Sequence, residues 1–284
     1  MTDLSTAHEQ FISYLTERRR ARATIVAYGK DIDQLKVFLS HMGKKTIEEV
    51  TREELEAFLK KLSKDGYTPK SVSRKINSIK TFYRFLKIKS GITLDPSVEI
   101  THPKYEANPP RILSKVEYRA LRDSCRNDLR IYAIVELFLQ TGIRIGELAN
   151  IKKVDLRGDQ LYISPLESHD ERMVPLNKAV RDAVEAYLKT RSNAPTDSLF
   201  VTKTGRPLLI RNIRTAIDRY FKIAGIEGAK VNDLRHTFIA HHLMSGTPLT
   251  MISNLVGHKR LSTTEKYLEL IQDRVENKPR LEEL

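Results

Sequence analysis

Ten residues, Thr101–Pro110, hold three prolines and no hydrophobic period. Proline fixes φ, lacks a backbone donor and pushes the residue before it out of the helical region. Such a stretch cannot continue a helix. It separates two tracts that do carry helical periodicity, so the chain is expected to fold as two bodies. The expected limits are 1–104 for an N-terminal helical domain, 105–111 for a linker and 112–284 for a second domain with a C-terminal tail. A length of 284 residues suits that division.

In the first body, residues 5–17 spell a short amphipathic helix with Phe11, Ile12 and Leu15 on one face. Arg18–Arg22 follows as a basic turn. A second helix runs from about 24 to 41, with Ile25, Tyr28, Ile32, Leu35, Phe38, Leu39 and Met42 at a spacing near 3.6, and Gly43 ends it. Thr51 and Glu54 form a capping box for a third helix through Leu62. Thr68 caps a fourth, with Pro69 at its first position. On that helix Val72, Ile76, Ile79, Tyr83 and Leu86 form the buried stripe, while Lys70, Arg74, Lys75, Lys80, Arg84 and Lys87 occupy the remaining faces. Six cations without an acid exceed what solvation requires and suit a polyanion. No aromatic residues interleave with them, which argues against a single-strand stacking platform.

Beyond the prolines, Ser114 and Glu117 make another capping box, for a helix through Arg122. An apolar helix spans Ile131–Leu139 and stops at Gly142. Leu161–Ile163 and Met173–Val174 read as a hairpin, Leu199–Val201 as a third strand, and helices resume at 178–190 and 211–224. The fold class is mainly α with a small antiparallel β-sheet in the C-terminal domain.

Net charge is +13, divided as +6 over residues 1–110 and +7 over the remainder, so both halves suit an anionic partner. No run of eighteen apolar residues exists to span a membrane, and the N-terminus lacks the basic flank and apolar core of a signal peptide. Cys125 is alone, which excludes an internal disulfide and reads as a buried reduced thiol. The expected location is cytoplasmic.

Four blocks carry chemistry. They are Thr141-Gly142-Ile143-Arg144-Ile145-Gly146-Glu147-Leu148, Asn232-Asp233-Leu234-Arg235-His236-Thr237, Leu255-Val256-Gly257-His258 and, nine residues after that histidine, Tyr267. In this order and spacing they resemble the active site of the tyrosine recombinases, the lambda-integrase and Xer-like family. The resemblance runs over nearly the whole chain. It implies two helical domains clamping a duplex, with helices of the first in the major groove. Arg144 and Arg235 would clamp the scissile phosphate, as suits an always-charged fork of donors. Glu147 would support the site, His258 would donate to the phosphate or manage a proton, and Tyr267 would be the nucleophile. Arg211 and Arg214 join Lys70, Arg74, Lys75, Lys80 and Arg84 as expected DNA contacts. Taken singly, an arginine is more often a salt-bridge former, and a tyrosine more often half-buried core.

The implied product is a 3′-phosphotyrosine bond and a free 5′-hydroxyl. Such a bond keeps its energy, so rejoining needs no cofactor and no metal. By the same resemblance, four protomers assemble on two inverted-repeat sites and exchange strands through a Holliday junction. The tail, with Ile271, Val275, Leu281 and Leu284, would dock on a neighbouring protomer.

Two positions depart from the family pattern. Asn232 stands where a histidine is expected; it can donate to a phosphate oxygen but cannot exchange protons. Counting back from Glu171-Arg172 puts Glu167 where the family has the lysine that protonates the leaving oxygen. His169 is the nearby replacement donor. Two alternatives stay open: a type IB topoisomerase-like relaxing enzyme, and a catalytically impaired DNA-binding protein of the same fold.

Overall fold

The computed structural model describes residues 2–106, 108–166 and 169–276, the last five of these by backbone alone. Glu167 of the hairpin turn and the tail residues Leu281 and Leu284 lie outside them. The chain divides into two compact units, Met1–Ala107 and Asn108–Leu284.

In the first unit, α1 spans Leu4–Glu17, α2 Arg22–His41, α3 Arg52–Lys64 and α4 Pro69–Lys89. The Asp3 carboxylate starts α1 by accepting from Ser5 N at 2.9 Å and Thr6 N at 3.1 Å. Thr68 caps α4 through the backbone N–H of Ser71. Phe11, Leu35, Phe58, Phe82 and Leu86 are central to the one hydrophobic core these helices share. Met42 leaves the expected stripe and is 46% exposed, because α2 has ended at His41 and the chain turns away.

The stripe of α4 is buried as its period requires, but its cations divide. Lys75 is corrected: it is 5% exposed and does not face solvent. It stands three residues after Val72 and four before Ile79, on the same face as the stripe. Its ammonium donates to Asp31 of α2 at 2.8 Å and to Gln34 Oε1 at 2.7 Å. Asp31 is itself 2% exposed and also accepts from Ser78 at 2.6 Å and from the Arg74 guanidinium. A buried carboxylate needs such donors, and α4 supplies them. Lys80 is partly buried and reaches Val98 O at 3.4 Å. Lys70 and Arg84 are exposed.

In the second unit, α5 is Lys115–Cys125, α6 Leu129–Thr141, α7 Ile145–Asn150, α8 Lys178–Thr190, α9 Ile210–Ile223, α10 Val231–Met244, α11 Leu249–Val256 and α12 Ser262–Glu276. Strands β1 (Leu156–Arg157), β2 (Gln160–Ile163) and β3 (Arg172–Pro175) form an antiparallel sheet in the order β1-β2-β3. Leu161 pairs with Val174, and both are buried. The expected third strand at Leu199–Val201 is corrected: that segment makes only an isolated bridge from Val201 to Pro207, and β1 completes the sheet instead. Leu199, Phe200 and Val201 are apolar because they are buried in the helical core, which a short apolar run does not distinguish from a strand. Burial pushes the Cys125 thiol up to about 12. Among the described residues no helix is long and apolar enough to cross a membrane.

Candidate active site

Two glycines shape the site. Gly142 ends α6 with φ +61, and a Cβ there would lie 2.4 Å from the Phe238 ring of α10. That close turn carries the chain straight to Arg144 at the start of α7. Gly257 ends α11 with φ +65, and a Cβ there would crowd the Arg172 guanidinium at 3.0 Å and the Arg144 guanidinium at 3.4 Å. A left-handed residue pressed against two side chains leaves glycine as the fitting choice.

The end of α11 is what gathers the arginines. The last turn of a helix leaves carbonyls without intrahelical partners, at the negative end of the dipole. Arg172 Nε donates to Leu255 O at 2.7 Å. Arg144 Nη1 and Arg235 Nη2 both donate to Val256 O, at 3.1 and 2.7 Å. Arg144 Nη2 takes Gly257 O at 2.7 Å, and Arg235 Nη1 takes Gly142 O at 2.6 Å. Two guanidiniums that share one carbonyl oxygen lie within reach of one phosphate.

Glu147 locks this arrangement from the other side. Its carboxylate accepts from Arg172 Nη1 and Nη2, each at 2.8 Å, from Arg144 Nη1 at 3.0 Å and from the Arg144 backbone at 2.7 Å. Burial works to raise its pKa, but the bonds from Arg172 and Arg144 prevail and hold it at about 2. Two guanidiniums thus meet one carboxylate, and a third, Arg235, is held beside them by carbonyls, leaving positive charge for an anion. Burial first, and then the neighbouring Arg144, depress Arg235 to about 9; an arriving anion relieves the second of these.

His258 follows directly, with Nδ1 2.8 Å from the Thr264 hydroxyl. Burial, then Arg235 and Arg144, lower it to about 4, so the ring is neutral at pH 7. Tyr267, on α12, is 5% exposed and packs with Phe238, Ile239, Ile252 and Val256. Burial, partly offset by Arg235, pushes its phenol up to about 12. Its hydroxyl lies 2.5 Å from His236 Nδ1, and His236 Nε2 lies 2.7 Å from the Asn232 amide.

The Phage integrase family profile matches residues 111–274, more than half of the chain, and its N-terminal SAM-like domain matches residues 8–89. The chain belongs to the phage integrase family. It is a tyrosine-type site-specific recombinase. It is 33% identical over 269 residues to the tyrosine recombinase XerC of Staphylococcus carnosus, covering 91% of this chain and 90% of that one. It is 34% identical to XerD of Caulobacter vibrioides, covering 88% and 87%. Among solved structures, the XerA recombinase is 28% identical at a TM-score of 0.55, covering 98% of this chain and all of that one. A lambda integrase tetramer bound to a Holliday junction, 18% identical with a TM-score of 0.75 over 92% of this chain and 78% of that one, has the same fold.

In this recombinase the sequence blocks converge: Arg144, Glu147, Arg235, His258 and Tyr267 sit around the ends of α6 and α11. His169, in the β2–β3 turn, exchanges backbone hydrogen bonds with Leu166 at 2.9 and 3.1 Å. Burial, then Arg144, lower its pKa, and its buried Nδ1 has no hydrogen-bond partner among the described residues. Asn232 directs its amide to His236. Arg214 lines a cleft of about 500 Å³ together with Asn232 and Arg235, and Arg211, one turn earlier on α9, is exposed. Sequence reasoning missed Arg172, which served only to register the hairpin. It also passed over His236. A histidine directly after Arg235, four residues from Asn232 on one helix face, was the available signal.

Proposed function

We propose that Tyr267 attacks a DNA phosphodiester held by Arg144 and Arg235, forming a 3′-phosphotyrosine and releasing a 5′-hydroxyl. The observation that carries this reading is the Val256 carbonyl shared by Arg144 and Arg235, one helix away from Tyr267. Negative charge grows on the non-bridging oxygens as the phenol adds, and prepositioned forks of donors stabilise it. Glu147 and Arg172 hold Arg144 in place. With Nδ1 accepting from Thr264, His258 keeps its Nε2–H for a phosphate oxygen.

His169 is the acid for the leaving 5′-oxygen, since its turn lies beside Arg144. The lowered pKa leaves little imidazolium at neutral pH, so cleavage should quicken as pH falls until another group fails. Residues 1–104 and 112–284, joined by 105–111, grip the duplex. Lys70, Arg84, Arg211 and Arg214 contact its phosphates. Four copies act on two inverted-repeat sites through a Holliday junction; a lambda integrase tetramer of the same fold is bound to such a junction. The tail after Tyr267 docks on a neighbouring copy through Val275, Leu281 and Leu284, whereas Ile271, also expected to dock there, is buried in its own unit.

The test is a nicked suicide duplex carrying the site recovered by selection from a randomised pool. The wild-type protein should form a covalent adduct that is lost in Tyr267→Phe. On a 5′-bridging phosphorothiolate, whose thiolate leaves without a proton, His169→Ala should recover and Arg235→Ala should not. Relaxation of supercoiled DNA without regard to sequence would instead favour a topoisomerase.

A further inference from the structure

A phenol held at about 12 is almost wholly protonated at neutral pH. As a nucleophile it needs a base at the moment of attack. His258 does not touch it: the His258 Nδ1 is engaged with Thr264. Among the described residues the hydrogen-bond partner of the Tyr267 hydroxyl is His236 Nδ1, at 2.5 Å.

We infer that His236 is a catalytic residue that takes the Tyr267 proton during attack, with Asn232 setting which ring nitrogen is free to do so. This rests on Tyr267 being the nucleophile. The step balances. The Tyr267 O–H bond breaks and its proton goes to Nδ1, making an imidazolium. The phenolic oxygen bonds to phosphorus, the bond from phosphorus to the 5′-oxygen breaks, and that oxygen takes its proton from the leaving-group acid. On rejoining, the imidazolium returns the proton to the departing phenolate.

The ring's second nitrogen decides its competence. An amide presents either a donor or an acceptor by turning over. With the Asn232 nitrogen toward Nε2, at 2.7 Å, Nδ1 carries the proton and donates to the phenol. With the Asn232 oxygen toward Nε2, that nitrogen carries the proton, and the Nδ1 lone pair faces the hydroxyl. A histidine held by an asparagine beside its nucleophile performs this task in papain-like proteases. The groups acting on His236 are Asp233 and Arg235 on its own helix, with Tyr267 on α12 and His258 just before α12. Burial lowers its pKa, against Asp233 and with Arg235, which favours the neutral ring a base requires.

Single-turnover adduct formation on the nicked duplex described above tests the role. His236→Ala should form adduct about 100- to 10,000-fold more slowly. His236→Gln, which keeps a polar side chain but exchanges no proton, should be equally slow and serves if the alanine variant does not fold. Asn232→Asp can only accept from Nε2–H, so it fixes the base tautomer and stabilises the imidazolium. The acid limb of the rate profile should then move to higher pH, and histidine ¹⁵N spectra should show the proton on Nε2. Wild-type or faster cleavage in both His236 variants would overturn the inference and make His236 a latch on the phenol. An unmoved acid limb in Asn232→Asp would overturn the part given to Asn232. Failure of the underlying reading looks different: Tyr267→Phe would then keep its adduct.

Discussion

Asp31 in one unit of this recombinase and Glu147 in the other are carboxylates buried among cations, and the two do opposite things. Asp31 draws Lys75, Arg74 and Ser78 onto the interior of a helical bundle. Lys75 is absorbed by packing at 5% exposed, while Arg74 keeps an exposed side chain turned onto the carboxylate. Glu147 gathers Arg144 and Arg172 at the mouth of a helix terminus, with Arg235 held alongside by carbonyls rather than by the carboxylate. There the positive charge exceeds the negative and remains available. A buried acid therefore does not mark a site by itself; the balance of charge around it and the direction of its partners do.

The comparison breaks first on chemistry. Tyr267→Phe should abolish the covalent adduct while leaving DNA binding intact, measured on the nicked duplex by gel. Glu147→Gln should lower adduct formation about 100- to 1,000-fold, on the scale of losing an oriented anion-stabilising donor. Asp31→Asn should leave cleavage of bound DNA at the wild-type rate and lower the melting temperature instead. If the two acid variants behave alike in both assays, the distinction drawn between them is wrong.

Stability sharpens it next. Lys75→Ala removes a charged hydrogen-bonding partner from a buried acid and should cost about 1.5–3 kcal/mol in urea unfolding. Lys70→Ala, at an exposed position, should cost under about 0.5 kcal/mol.

Much of this was legible in the sequence. Caps at Thr68, Ser114 and Glu117, stops at Gly43 and Gly142, and the α4 stripe all follow from local rules. The four blocks named the residues that the fold then gathers at the ends of α6 and α11. What escaped was non-local. Lys75 looked like surface because lysine usually is; only an acid on another helix, 44 residues earlier, makes it core. Arg172 meets Glu147 across 25 residues, and it meets the end of α11, 83 residues further on. Leu199–Val201 imitated a strand, since an apolar triplet fits a helical core as well as a sheet.

Acid should act on the catalytic unit through its histidines. Folded His258 titrates near 4, below the ordinary 6.5, and His236 is lowered as well. Between those values the folded state binds fewer protons than the unfolded chain, so stability rises with pH. The contribution is complete above about 6.5 and is lost as pH falls toward 4. Urea midpoints from pH 7 to 4.5 should decline, and His258→Gln should flatten the decline. A steeper decline in that variant would place the lowered group elsewhere.

The smallest effect is the most discriminating between buried and available cations. Each phosphate neutralised adds roughly 0.9 to the slope of log affinity against log salt. Lys70→Ala and Arg84→Ala should each reduce that slope by about this amount, because both side chains are exposed on α4. Lys75→Ala should leave the slope unchanged even where its lower stability weakens binding at every salt concentration. Arg74 falls between: its side chain is 46% exposed, yet it is paired to Asp31. Its loss should change the slope by less than a full contact, since reaching a phosphate means leaving the carboxylate. A Lys75 variant that loses as much slope as the Lys70 variant would mean that DNA draws Lys75 away from Asp31, and that the first unit's carboxylate holds its cations no more firmly than the second's.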